Sequence, residues 1–159
     1  MAQDTPAVQD FYPDDVAHCF GCGKLNERGH RLKTVWEGEE TVSRFTPEPY
    51  HTAIPGYVYG GLIASLLDCH GTGAAAAATL RREGREIGDG EAPRFVTASL
   101  RVEFLKPTPL GPEIVVRGRV EEITDRKVVL EETLSVEGTV TARGRVVAAR
   151  MPERMIREG

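Results

Sequence analysis

The stretch "GGLIASLLDCHGTGAAAAATL", residues 60–80, decides the fold. Alanine and leucine dominate it, and both are among the strongest helix formers. It is apolar on nearly every side, the mark of a buried helix rather than a surface one. Gly71, Gly73 and the run Ala74–Ala78 keep its second half thin. An interior glycine costs roughly 1 kcal/mol against alanine in a helix, so these glycines imply close packing by another element. Near the middle stands a carboxylate, Asp68, followed by His70.

Outward from this helix the chain reads as strands. Residues 32–47, "LKTVWEGEETVSRFTP", alternate on both sides of "EGEE" and predict a two-strand hairpin. Residues 95–105, "FVTASLRVEFL", set Val96, Ala98, Leu100, Val102 and Phe104 on one side. Thr97, Ser99, Arg101 and Glu103 then fall on the other, polar side. Strands over 114–124, 127–138 and 139–152 complete the chain. Two strands, one long helix and four strands give an α+β chain. Its antiparallel sheet wraps one central helix. A single helix cannot cover both faces of a sheet, so the exposed edges and remaining face predict a homo-oligomer, at least a dimer. The expected division is an N-terminal arm over 1–17, loose with one short helical turn, a single domain over 18–152, and a C-terminal tail over 153–159.

The bulk properties agree with one globular domain. The chain has 159 residues, 40% hydrophobic and 28% charged, with a formal net charge of −4. That charge argues against a nucleic-acid partner, which needs a basic face. The first fifteen residues have neither a basic start nor an apolar segment, so no secretory signal is expected there. The apolar run is too interrupted to span a bilayer. Three cysteines give no disulfide framework, and a cytoplasmic location is the expectation.

Two groups on the helix suit acyl-transfer chemistry. A helix start exposes unpaired N–H groups at a positive dipole end. Gly60 and Gly61 would let a carbonyl approach that backbone closely and hold its oxygen as charge develops. They also read as a plain tight turn. Asp68, in apolar surroundings, should have a raised pKa and could serve as general base or nucleophile. A paired acid in a dimer interface is the alternative. Gly60 and Asp68 are eight residues apart, about 12 Å along one helix, whereas an attacking group must lie within about 3–3.5 Å. If both act on one substrate, they come from different subunits. His70 lies about 200° round the helix from Asp68 and reads as a packing residue. His51 precedes a Pro-Gly turn and is placed at a pocket mouth. Cys19 and Cys22 form C-x-x-C beside His18, half a zinc site without a second pair. A tight Gly-rich loop is the favoured reading there and a metal or redox role the lesser one. No metal and no cofactor are expected.

"PGYVYGGLIASLLD" followed by "VTASLRVEFLKPTPLG" resembles the hotdog-fold acyl-CoA thioesterases of the phenylacetate-degradation type. "HCFGCG", 18–23, is similar to the entry loop of one subgroup. The likeness covers residues 18–150. It implies a hotdog fold and hydrolysis of an acyl-CoA thioester to a carboxylic acid and free CoA, at a site shared between two subunits. Asp68, Gly60 and Gly61 would be catalytic, and Thr97 falls where the family places a hydroxyl near the acid. Tyr59 stands where the family has His, and Ala53 about where members carry Asn or Gln. The family binds the nucleotide of CoA with surface basic groups, for which Arg101, Lys106 and Arg126 are the candidates, and His51 and Tyr59 are further substrate-binding candidates. The alternatives are a non-catalytic acyl- or CoA-ester-binding hotdog module and, third, a hotdog dehydratase, which would want a His at the helix opening.

Overall fold

The computed structural model describes residues 5–153 and 155. Most of the expected C-terminal tail, and residues 1–4 of the arm, therefore lie outside the described residues. The elements run β1 (Val35–Glu37), β2 (Glu40–Phe45), α1 (Gly60–Arg82), β3 (Phe95–Phe104), β4 (Ile114–Ile123), β5 (Lys127–Val136) and β6 (Thr139–Arg150). The six strands form one sheet in the order β1-β2-β4-β5-β6-β3, antiparallel at every pairing. The expected sheet around one helix is what the chain forms.

α1 is 23 residues long and almost wholly buried from Leu62 to Leu80. Its alanine run is the reason it can lie so close to the sheet. Added to Gly71, a Cβ would stand 2.7 Å from both γ-carbons of Val146 on β6. Leu66, Leu67, Ile114, Val116 and Leu134 pack one half of the core. Ala74–Ala77, Phe95, Leu130 and Val146 pack the other. Each buried side chain of Leu or Phe size contributes about 1.5–3 kcal/mol relative to exposure. β5 and β6 join through Glu137 and Gly138, both at positive φ (50° and 82°), as a two-residue hairpin turn demands.

Two sequence readings are corrected here. Residues 7–17 are not loose. They form two 3-10 turns, Val8–Phe11 and Asp14–Val16. Val8, Tyr12 and Ala17 enter the core, and Gln9 donates from Nε2 to the Thr34 hydroxyl at 2.8 Å. The thin second half of α1 receives this segment, since a Cβ on Gly73 would collide with Gln9 and Thr34. β3 also departs from simple alternation. Its register with β6 shifts between Thr97 and Ser99, leaving Ala98 as a bulge. Thr97 is thereby paired with the buried Ala148, and Leu100 with the buried Val146, so both face the helix.

The face of the sheet away from α1 is charged. Arg145 pairs with Glu121 at 3.2 Å and Glu131 at 3.4 Å, and Arg119 with Glu40 at 3.1 Å. No helix among the described residues is long and apolar enough to cross a membrane.

Candidate active site

α1 opens without a side-chain cap. Tyr59 precedes it in an extended conformation (ψ 146°) and its carbonyl accepts from Leu62 N–H at 3.2 Å and Ile63 N–H at 3.5 Å. Gly60 and Gly61 N–H make no hydrogen bond among the described residues. These two donors sit at the positive end of a 23-residue helix dipole.

Beside them lies a groove of about 480 Å³ lined by Ala53, Tyr57, Gly60, Ile63, Phe104 and Lys106, among others. Its wall is pinned by local hydrogen bonding. Ala53 N–H donates to Tyr57 O and Val58 N–H to Thr108 O, at 2.9 and 2.8 Å. The intervening turn uses Gly56 at φ +95°. The Phe104 ring stands 3.4 Å from where a Cβ of Gly60 would be. The Tyr59 ring folds over Gly61, 2.5 Å from its hypothetical Cβ. The glycines thus leave backbone amides open beside an aromatic-walled groove.

Asp68 lies two turns further along α1, half-buried, and does not line this groove. The Thr97 hydroxyl donates to its Oδ1. That contact depends on the bulge at Ala98, because simple alternation along β3 would place Thr97 on the opposite face. Close by is Glu132 on β5, which sequence reading missed. It is 3% exposed, its neighbours across the strands are Gly118 and Gly144, and neither carboxyl oxygen has a hydrogen-bond partner among the described residues. Burial, with the charges of Asp68 and Glu131 adding, pushes its pKa well above the carboxylate range. Only the three-dimensional pairing of β4, β5 and β6 reveals this group.

The remaining candidates divide. Lys106 lines the groove and Tyr59 stands at its helix start. His51 is buried instead. Its Nδ1 accepts from Glu48 N–H at 2.8 Å and its ring contacts those of His30, Phe45 and Tyr50. It supports the loop from behind, since Tyr59 N–H donates to its carbonyl at 3.1 Å. Arg101 is exposed on β3 opposite Arg145. Arg126 lies in the β4–β5 turn beside Asp125, which pairs with Arg82 at the far end of α1. His70 is fully buried, with Nδ1 2.6 Å from the Ser43 hydroxyl and Nε2 3.0 Å from that of Thr41. Burial holds its pKa down to about 3, so it is a neutral packing group.

Cys19 and Cys22 are joined by Cys69 of α1. All three sulfurs lie within 4.8 Å of one another. Hydrogen bonds from the Cys22 and Cys69 thiols pull the Cys19 thiol far below its ordinary value. As a donor to that sulfur, and by burial, Cys69 is held far above it.

The sequence profile of the thioesterase superfamily matches residues 55–143, more than half of the chain, spanning α1, β3, β4, β5 and the start of β6. The chain belongs to the thioesterase superfamily. Its sheet wrapped on one helix is the hotdog fold of that superfamily. A thioesterase-superfamily protein of Shewanella loihica is 47% identical over 87% of this chain and 98% of its own, with a TM-score of 0.67. Acyl-coenzyme A thioesterase THEM4 of Xenopus laevis is 36% identical over 87 residues, 55% of this chain and 33% of that one. The chain thus spans about a third of this curated relative's length. The PaaI protein of the Escherichia coli phenylacetic acid degradation operon shares the fold. Its TM-score is 0.62 at 14% identity, over 77% of this chain and 81% of that one.

Proposed function

We propose that the protein is an acyl-CoA thioesterase whose site is completed by a second copy of the chain. The observation carrying this reading is the pairing of open Gly60 and Gly61 N–H groups with an apolar groove at one end of α1, while Asp68, held by Thr97, stands two turns away. The amides would hold the thioester oxygen and the groove the acyl chain, with Lys106 at its rim for a phosphate of CoA. Asp68 of the partner would activate water, or attack the acyl carbon itself. In one chain α1 is continuous from Gly60 through Asp68, so the axial separation of about 12 Å stands. The likeness to THEM4, an acyl-coenzyme A thioesterase, supports the substrate class.

The test mixes two inactive variants. Asp68→Asn removes the base and should lower kcat by about 10²-fold or more. Gly60→Pro removes one amide hydrogen but keeps a helical φ at the first helical position. Tyr59 already has the extended backbone a following proline requires. Refolded together in equal amounts, the two should recover about a quarter of the wild-type sites, as random pairing of a two-fold dimer gives. Thiol release from a panel of short, long and aromatic acyl-CoAs is the readout. Recovery at zero, with each variant folded and dimeric, would count against the shared site. Wild type inactive on every member would favour an acyl- or CoA-ester-binding module, the second reading, which Ala53 in the groove wall keeps in play.

A further inference from the structure

The Gly-rich loop before β1 is not merely tight. It is wrapped around a sulfur cluster. Gly23 N–H donates to Cys19 O at 2.7 Å, Leu32 N–H to Gly21 O at 3.0 Å, and Leu25 N–H to Ala17 O at 3.0 Å. A Cβ on Gly21 would collide with Cys69 Sγ, and one on Gly23 with the backbone of Cys19 and Ala17. The glycines are what allow the loop backbone to close over Cys69. The result sets two cysteines of one turn and one of α1 around a common point, with Cys19 and Cys69 sulfurs 3.8 Å apart.

That spacing is informative. It is far from the roughly 2.05 Å of a disulfide. Sulfurs bound at about 2.3 Å to one zinc-class ion at tetrahedral angles stand about 3.8 Å apart. The Arg94 guanidinium stacks over the Tyr12 ring, 4.8 Å from its centroid. Tyr12 is 1% exposed, and its hydroxyl has no hydrogen-bond partner among the described residues. Cys19 is only half-buried, which gives an ion a way in.

We propose that Cys19, Cys22 and Cys69 form a three-thiolate site for a soft, zinc-class cation. Thiolate ligands select such ions over magnesium or calcium. Each thiol passes its proton to solvent as the ion binds. The fourth position would be taken by water. The ion would tie the loop to α1 at the residue next to Asp68, so its role is structural and lies beside the acyl-transfer chemistry.

The experiment uses the full chain, reduced and treated with chelator, with cadmium alone as the probe. The expected result is a sulfur-to-metal charge-transfer band saturating at one cadmium per chain. All three thiols should lose reactivity toward a disulfide reagent. The thermal midpoint should rise with cadmium concentration, as mass action requires. Cys69→Ser should weaken binding at least about tenfold. Should that variant fail to fold, Cys19→Ser on the half-exposed loop is read the same way. Wild type without a one-equivalent band overturns the proposal. So does equal affinity in wild type and variant. Protection of Cys19 and Cys69 only after an oxidant, with no cadmium bound when reduced, overturns it in favour of a thiol–disulfide pair.

Discussion

At the level of single residues, the site rests on how two acids are surrounded. Asp68 receives a hydrogen bond from Thr97, and a bond to a charged group is worth about 1.5–3 kcal/mol. Thr97→Val should therefore lower kcat by about 10–100-fold with KM little changed, while Thr97→Ser keeps most of the rate. Steady-state thiol release decides this, and a Val variant with wild-type kcat would remove Thr97 from the mechanism. Glu132 has the opposite surroundings, since nothing bonds its carboxyl group among the described residues. Its folded pKa is raised above the unfolded value of about 4.3. Below that value both states are protonated. Above it the unfolded chain ionises first, so stability falls as pH rises toward the raised folded value, by at most about 1.4 kcal/mol per pH unit. His70, neutral when folded down to about pH 3, acts in the reverse sense, and only below its unfolded pKa of about 6.5. Urea midpoints followed upward from about pH 4.3 in wild type and in Glu132→Gln isolate Glu132, because Cys19, His30 and His70 titrate alike in both. Glu132→Gln should flatten their decline, and an unchanged slope would show that other groups set it. Gly60, Gly61 and Asp68 could be picked out in sequence because each departs from what a plain buried helix wants. Glu132 could not, because an acid on an alternating strand reads as solvent-facing until Gly118 and Gly144 are seen on either side of it.

Among the helices and strands, α1 was legible because composition alone marks a thin, buried helix. What its thin side receives was not. Gly71 meets Val146 from β6, and Gly73 meets a segment from the other end of the chain. Gly71→Ala gains about 1 kcal/mol of helix propensity but overpacks against a stiff β-branched neighbour, which costs about 1–3 kcal/mol. The variant should be less stable than wild type by denaturant unfolding. Combined with Val146→Ala, it should lose less than the sum of the two single changes, with a coupling of at least about 0.5 kcal/mol. Strict additivity would mean that the two side chains do not compete for space. β3 shows where periodicity misleads. Its sequence alternates cleanly, yet the single extra residue Ala98 reverses the assignment of Thr97. A bulge leaves little signal in one sequence because both halves of the strand still alternate. The loop over Cys69 is illegible for a related reason. Its glycines read as a turn, and the cysteine they make room for lies 50 positions along the chain from Cys19.

For the molecule as a whole, one edge of the sheet carries exposed apolar side chains. Leu100 is 36% exposed and Phe104 57% exposed on edge strand β3, with Tyr57 and Tyr59 exposed at the start of α1. The opposite face of the sheet is covered by paired charges, each pair worth at most about 1 kcal/mol. If a second copy covers the β3 edge, Leu100→Glu should reduce the mass seen by light scattering to that of one chain and lower thiol release in parallel. Arg143→Ser, on the charged face, should change neither. Wild type at the mass of one chain would exclude this assembly. The two edges of the sheet differ in a way that matters beyond the site. β3 offers ten residues to a neighbour, whereas β1 offers three, beside the Arg44–Glu37 ion pair at 2.5 Å. A sheet joined to its copy through β3 presents only two short, charged rims to the solution. Assembly of that kind terminates itself after one step, so the protein can expose a sticky edge as a single chain without seeding a fibre.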